Sequence, residues 1–177
     1  FAAYLSPEIH GAIPLVCVNG GLLFDHNLLW PALAPLSERR QLILYDQRGR
    51  GASQAPPGAS AARIEHDAGD LPAIREALGV GTWDVLGHSW GGGLAMLATE
   101  RDQTRVRRLV LVDSVGPVGN WQEDLLRNAL PRLGPGDRAI LEHIDTEALL
   151  HPDPGIHSAY SRAMYPAWFA DASLASM

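Results

Sequence analysis

The 177-residue sequence predicts an α/β protein, a mostly parallel sheet with flanking helices, followed by a purely helical segment. Three observations lead there. Short apolar runs at residues 14–18, 41–46 and 107–113 have the length and continuity of strands buried on both faces. Segments of helical spacing stand between them on short connections, which is the pattern of successive βαβ units with right-handed crossovers. The third is the stretch 83–98, Trp-Asp-Val-Leu-Gly-His-Ser-Trp-Gly-Gly-Gly-Leu-Ala-Met-Leu-Ala. It runs from an apolar segment, through a tight Gly-Ser-Gly turn, into good helix formers.

Each element can be justified in order. Residues 1–12 are broken by Pro7 and Gly11 and read as loop with a short edge strand. The run 14–18 is a buried strand that ends at the turn Asn19-Gly20-Gly21. Residues 27–36 are apolar at loosely helical spacing, with Trp30, Leu33 and Leu36 on one side and Arg39-Arg40 closing the helix. The second buried strand, 41–46, leads into a Gly-rich turn at 47–53, then a loop with two prolines at 54–60. Residues 65–78 form an amphipathic helix with Leu71, Ile74 and Leu78 on one face and Gly79 as its stop. A strand around Val85-Leu86 precedes the Gly-Ser-Gly turn, a helix follows to about Arg101, and 107–113 is the next buried strand. Beyond Pro117 no strand-like run occurs. Residues 120–175 set Trp, Leu, Met and Tyr at helical spacing between Pro131, Gly134-Pro135-Gly136, Pro154-Gly155 and Pro166, giving two or three short helices. The expected division is therefore 1–117 and 118–177, with no internal repeat.

Composition narrows the function. Hydrophobic content of 46% and charged content of 19% are those of an ordinary globular chain. A net charge of −6, with every basic residue an Arg, argues against a nucleic-acid or anionic-membrane partner. The single cysteine, Cys17, lies in an apolar run and reads as a buried thiol of a reducing, cytoplasmic setting. No apolar stretch approaches the roughly 18 residues of a membrane span, and no signal-peptide pattern opens the chain. The chain starts at Phe1 and stops without a terminator, so the expectation is an N-terminal fragment.

The chemistry centres on Gly87-x-Ser89-x-Gly91, the nucleophile-elbow spacing. Glycines two residues either side let strand and helix pass closely and hold Ser89 at the tip. A serine nucleophile also needs donors for a developing oxyanion. The backbone N–H of Trp90 is one, and Gly21, in the loop after the first buried strand, is the other. An acid and then a histidine should follow in chain order. Asp113, at a strand end, is the weak candidate acid. His143, His151 and His157 fall in the helical segment and read as solvated or packing residues, His88 as a packing residue, and His26 as lining a pocket. His10 and His66 have no supporting context. No metal or cofactor is expected; Gly91-Gly92-Gly93 lacks the Gly-Lys-Ser/Thr of a phosphate loop.

Three segments carry a family resemblance. Asn19-Gly20-Gly21-Leu22-Leu23-Phe24-Asp25-His26 resembles the His-Gly-Gly-Pro-Gly segment of the proline iminopeptidase branch of the α/β-hydrolase superfamily. Tyr45-Asp46-Gln47-Arg48-Gly49-Arg50-Gly51-Ala52-Ser53 is similar to that branch's Asp-Gln-x-Gly-x-Gly-x-Ser turn. Gly87-His88-Ser89-Trp90-Gly91-Gly92 matches its elbow, tryptophan included. The resemblance implies an incomplete hydrolase core over 1–117 and a partial helical cap over 118–177. It places the catalytic acid and histidine after the cap, outside this chain, which would leave a sheet edge uncovered and the isolated chain inactive. It also implies an aminopeptidase releasing N-terminal proline, whose cap carboxylates hold the substrate's amino terminus. Glu123, Asp124, Glu142, Asp145 and Glu147 lie in that region and read as solvated helix faces. Asn19 in place of His, and Leu22-Leu23 in place of Pro-Gly, favour instead a carboxylic-ester or lactone hydrolase. A third reading is an inactive fragment or non-catalytic relative.

Overall fold

The structure, a computed structural model, describes residues 1–21, 24–55, 64–117, 119, 121–144, 153–171 and 174. It divides into two compact units, Phe1–Pro117 and Val118–Met177.

The first unit is a five-stranded sheet in the order β1-β3-β2-β4-β5. The strands are β1 (Ala3–Leu5), β2 (Leu15–Val18), β3 (Leu42–Tyr45), β4 (Trp83–His88) and β5 (Val106–Val112). β1 pairs antiparallel with β3 at one edge; every other pairing is parallel. Both faces of the central strands are covered, which is why their sequences are apolar without alternation. On one face Val16, Val18, Ile43, Tyr45, Trp83 and Val85 pack under two helices, α2 (Ile64–Ala77) and α3 (Trp90–Arg101). On the other, Leu15, Cys17, Leu42, Leu44 and Leu86 pack against Leu29 and Leu33. Cys17 is buried there, and burial pushes its thiol up to about 12. α2 presents Leu71 and Ile74 to the core, and Gly79 ends the helix region in a left-handed turn at φ 67°.

Two expectations need correction. The segment 27–36 is not one regular helix. It is a 3-10 turn His26–Leu28, a single α turn α1 (Trp30–Leu33) and a second 3-10 stretch Ala34–Glu38. Pro31 and Pro35 cannot donate backbone hydrogen bonds, so the 3.6-residue register is not kept. Leu29 and Leu33 therefore face the core, while Trp30 and Leu36 are exposed. β5 is also not a buried strand. Val106 and Leu109 pack against the core, but Val110, Leu111 and Val112 are 43%, 43% and 39% exposed.

The second unit contains α4 (Trp121–Ala129), α5 (Pro135–Glu142) and α6 (Pro154–Trp168). Ala129, Leu133 and Met164 form its small core, with Leu141, Tyr160 and Ala167 against them. Asp153 caps α6 by accepting from the Gly155 N–H at 2.7 Å.

Candidate active site

Ser89 joins β4 to α3 with φ 53° and ψ −121°. A non-glycine residue there costs on the order of 1–3 kcal/mol. Packing of the sheet outweighs this, since each fully buried Leu or Val contributes roughly 1.5–3 kcal/mol. Backbone hydrogen bonds pin the strained residue. Its N–H donates to Val112 O at 3.0 Å, and its carbonyl accepts from Gly92 N at 2.9 Å and Val115 N at 3.1 Å. Ser89 occupies the N-cap position of α3, yet its hydroxyl caps nothing. An ordinary N-cap serine turns its oxygen onto the helix N–H groups; the left-handed φ points this one elsewhere. Close approach requires the flanking glycines. A Cβ on Gly87 would lie 2.6 Å from Gly92 Cα, and one on Gly91 would run into the carbonyls of Val18 and Asn19.

The loop after β2 lies against this elbow. A Cβ on Gly20 would sit 2.7 Å from Ser89 Cβ and 2.9 Å from His88 Nδ1. Gly21 follows at φ 73°, its backbone against the Phe24 ring. Asn19 closes the loop on itself by donating from Nδ2 to Phe24 O at 2.7 Å. The turn after β3 braces it from behind: Gln47 Nε2 donates to Asn19 O at 2.7 Å, and Asp46 Oδ1 accepts from the His26 backbone N–H at 3.0 Å. His26 Nδ1 also meets Asp46 Oδ1 at 2.8 Å, and the His26 ring stacks on Tyr4 at 3.5 Å. Asp46 Oδ2 accepts from the Ala52 N–H at 2.9 Å and from the Tyr4 hydroxyl at 3.1 Å. Burial would raise the Asp46 carboxyl; the N–H groups of Ala52 and His26, the His26 ring and the Tyr4 hydroxyl outweigh it and hold it below the usual range.

Asp25, His26 and Asp46 bring potential metal-binding atoms within 4.8 Å of one another. The Asp46 carboxylate already accepts four hydrogen bonds, matching its complement of lone pairs, so its role here is to knot two loops together. Beside the knot lies a cavity of about 290 Å³, lined by Tyr4, Leu5, Ser6, His26, Asn27, Trp30 and Leu44.

The remaining candidates do not join Ser89. Asp113 is exposed at φ 45° in the turn after β5, and among the described residues it makes no hydrogen bond to a histidine or to Ser89. Its neighbours do meet the elbow: Val115 donates to Ser89 O, and Ser114 fills the space beside Gly92. His88 packs against Gly20, its buried Nδ1 without a hydrogen-bond partner among the described residues. His10 and His66 are exposed. In the second unit, His143 Nδ1 meets Ala139 O at 2.7 Å, and the buried Nε2 of His157 has no partner among the described residues. Glu123 and Glu142 are exposed, and Asp124 pairs with Arg127 at 2.9 Å. Asp145, Glu147 and His151, like Leu22 and Leu23, lie outside the described residues. No described helix is long and apolar enough to cross a membrane.

Sequence reasoning missed Gly20 as the residue seated on Ser89, and Asn19 and Gln47 as the loop's braces. The only signal for Gln47 was its place after Asp46 in the Gly-rich turn.

Residues 13–147 match the alpha/beta hydrolase fold family. A proline iminopeptidase of Heyndrickxia coagulans is 31% identical over 122 residues, 68% of this chain and 42% of that protein. A 2-hydroxymuconate semialdehyde hydrolase of Pseudomonas putida is 45% identical over 83 residues, 45% of this chain and 28% of that protein. The crystal structure of a proline iminopeptidase of Mycobacterium smegmatis superposes with a TM-score of 0.66 at 24% identity, covering 91% of this chain and 54% of that one. The chain thus spans less than half the length of these curated relatives. With an elbow serine between a parallel strand and a helix, and a matching family signature over 13–147, the chain belongs to the alpha/beta hydrolase fold family.

Proposed function

We propose that the protein is a serine hydrolase in which Ser89 attacks a substrate carbonyl. The observation that carries this is the Ser89 backbone at φ 53°, which keeps its hydroxyl off the α3 N–H groups. In this reading Ser89 Oγ bonds to the carbonyl carbon while a histidine takes its proton. The backbone N–H groups of Gly21 and Trp90 stabilise the oxyanion. The histidine returns the proton to the leaving group, and water then hydrolyses the acyl-enzyme. Gly20 seated on Ser89 supports the placing of the Gly21 donor. The histidine and its orienting acid are assigned to chain outside these 177 residues, and residues 118–177 to the start of a helical cap.

The preferred substrate class is a peptide with N-terminal proline, supported by the three ordered motifs and the 31% identical iminopeptidase. The second reading, hydrolysis of a small non-peptide compound such as an ester or lactone, is favoured by the 45% identity to a hydrolase named for a semialdehyde. A fluorophosphonate probe is expected to label the full-length protein at Ser89; labelling that survives Ser89→Ala refutes the nucleophile. Comparing prolyl-β-naphthylamide with p-nitrophenyl acetate separates the substrates. An enzyme fast on the ester and inert on the proline amide removes the peptidase reading.

A further inference from the structure

The turn after β3 supplies no group to the chemistry just described, yet it holds a buried amide that reaches the loop beside Ser89. Gln47 is 1% exposed and, among the described residues, its Nε2 makes one hydrogen bond while its buried Oε1 has no partner. A buried polar atom without a partner costs about 1–3 kcal/mol. A methionine or leucine of similar volume would remove that cost but would also take away the donor to Asn19 O. The side-chain bond of Gln47 goes to Asn19 O, on the residue that begins the loop against Ser89.

The surroundings turn that bond into a fixed distance. The Gln47 backbone cannot drift, because its neighbour Asp46 is tied by four hydrogen bonds to Tyr4, His26 and Ala52, and the Asp46 carbonyl accepts from Ser53 Oγ at 2.6 Å. On the far side, Gly91 packs directly on the carbonyls of Val18 and Asn19, and Gly20 packs on Ser89. The Asn19 peptide is therefore gripped between the α3 terminus and the Gln47 amide. Any change in that grip moves Gly20 and Gly21 relative to Ser89.

We propose that Gln47 is a positioning residue: its amide sets the loop 19–21 at the distance from Ser89 at which the loop's N–H groups meet an oxyanion. This rests on Ser89 being the nucleophile. It gives the Asp-Gln segment of the Gly-rich turn a task of its own, with Asp46 locking the turn and Gln47 transmitting its position to the loop.

The test uses the full-length protein and the volume-conserving variant Gln47→Met, with Gln47→Leu as a second should the first not fold. Steady-state kinetics are measured on p-nitrophenyl acetate and prolyl-β-naphthylamide, with phenylboronic acid as a tetrahedral-adduct mimic. A loosened loop is expected to lower kcat by about 10–100-fold. KM should stay within about threefold, boronate affinity should fall alongside kcat, and Tm should stay near the parent's, because loss of the unpaired Oε1 offsets leaving the buried Asn19 O without its donor. A kcat within about threefold of the parent in a folded variant, or a loss confined to KM, overturns the proposal. Ser89→Ala run in parallel separates the two failures: activity retained in that variant refutes the nucleophile itself, whereas its loss beside an unaffected Gln47→Met refutes only the positioning role.

Discussion

Ser89 is held in a conformation that its own side chain disfavours, so its neighbours must be sensitive to volume. Gly87 is the most exposed to this argument. Its missing Cβ leaves room for Gly92 Cα at 2.6 Å and Ala95 Cβ at 2.8 Å. Both belong to the first turns of α3, packed against β4 and unable to yield without moving Ser89. Gly87→Ala is therefore expected to destabilise by about 2–4 kcal/mol, more than the 1–3 kcal/mol of ordinary overpacking, because the contact is with backbone. Chemical denaturation of the full-length protein checks it, and an unchanged midpoint would mean that the elbow is looser than the packing indicates. Fluorophosphonate labelling should slow in the same variant. The elbow was legible in the sequence because close backbone approach admits only glycine, and glycine spacing is visible in a string of letters. The seat of Gly20 on Ser89 was not legible, since it depends on how β2 and β4 stand side by side.

At the level of elements, the N-terminal end of β4 is fastened by charge. Asp84 is 2% exposed, accepts from Arg107 Nε and Nη2 at 2.9 and 2.7 Å, and accepts from Arg40 Nη2 at 2.7 Å. Arg40 also donates to Ile13 O and Pro14 O, so one acid ties β4, β5 and the approach to β2 together. The Arg107 hydrogen bonds, opposed by burial and helped by Arg40, hold the Asp84 carboxyl below its usual range. A carboxyl lowered on folding adds stability above its unfolded pKa, near 3.9, and loses it as pH falls through the folded value. Asp84→Asn is expected to cost about 2–3 kcal/mol at pH 7, below the 3–5 kcal/mol of a fully buried pair, because both arginines reach solvent. The gap between parent and variant should begin to narrow below about pH 4 and go on narrowing as pH falls towards the lowered folded value of Asp84. Thermal melts from pH 3 to 8 measure this, and a gap constant with pH contradicts the charge assignment. Sequence periodicity could not show this clamp, because Asp84 sits in an apolar strand and its partners lie 44 and 23 residues away. The same blindness to context misplaced the core face of 27–36, where Pro31 and Pro35 broke the helical register on which the reading depended.

The sheet of the first unit has one edge answered and, among the described residues, the other open. At the β1 edge the terminal strand is short and antiparallel, an arrangement that limits further pairing. At the other, β5 runs seven residues with β4 on one side, and among the described residues no strand pairs with its outer side. Val110, Leu111 and Val112 are consecutive, so their side chains alternate across both faces, and all three are exposed. The sequence reading of a strand covered on both faces was sound about the residues and wrong about their cover. Apolar letters report what a strand needs, not what this stretch of chain provides. Charges flank the Leu109–Val112 portion, at Arg107 and Arg108 before it and Asp113 after it, but none falls within it. Residues 1–177 expressed alone should accordingly self-associate through β5 at concentrations on the order of 10–100 µM. Leu111→Lys places a charge on the open edge and should shift the population towards monomer without loss of helical signal, because Leu111 touches neither core cluster. Light scattering coupled to size exclusion reads both outcomes. If residues 1–177 run as a monomer across that range, β5 is protected; if Leu111→Lys associates as strongly as the parent, the contact lies elsewhere.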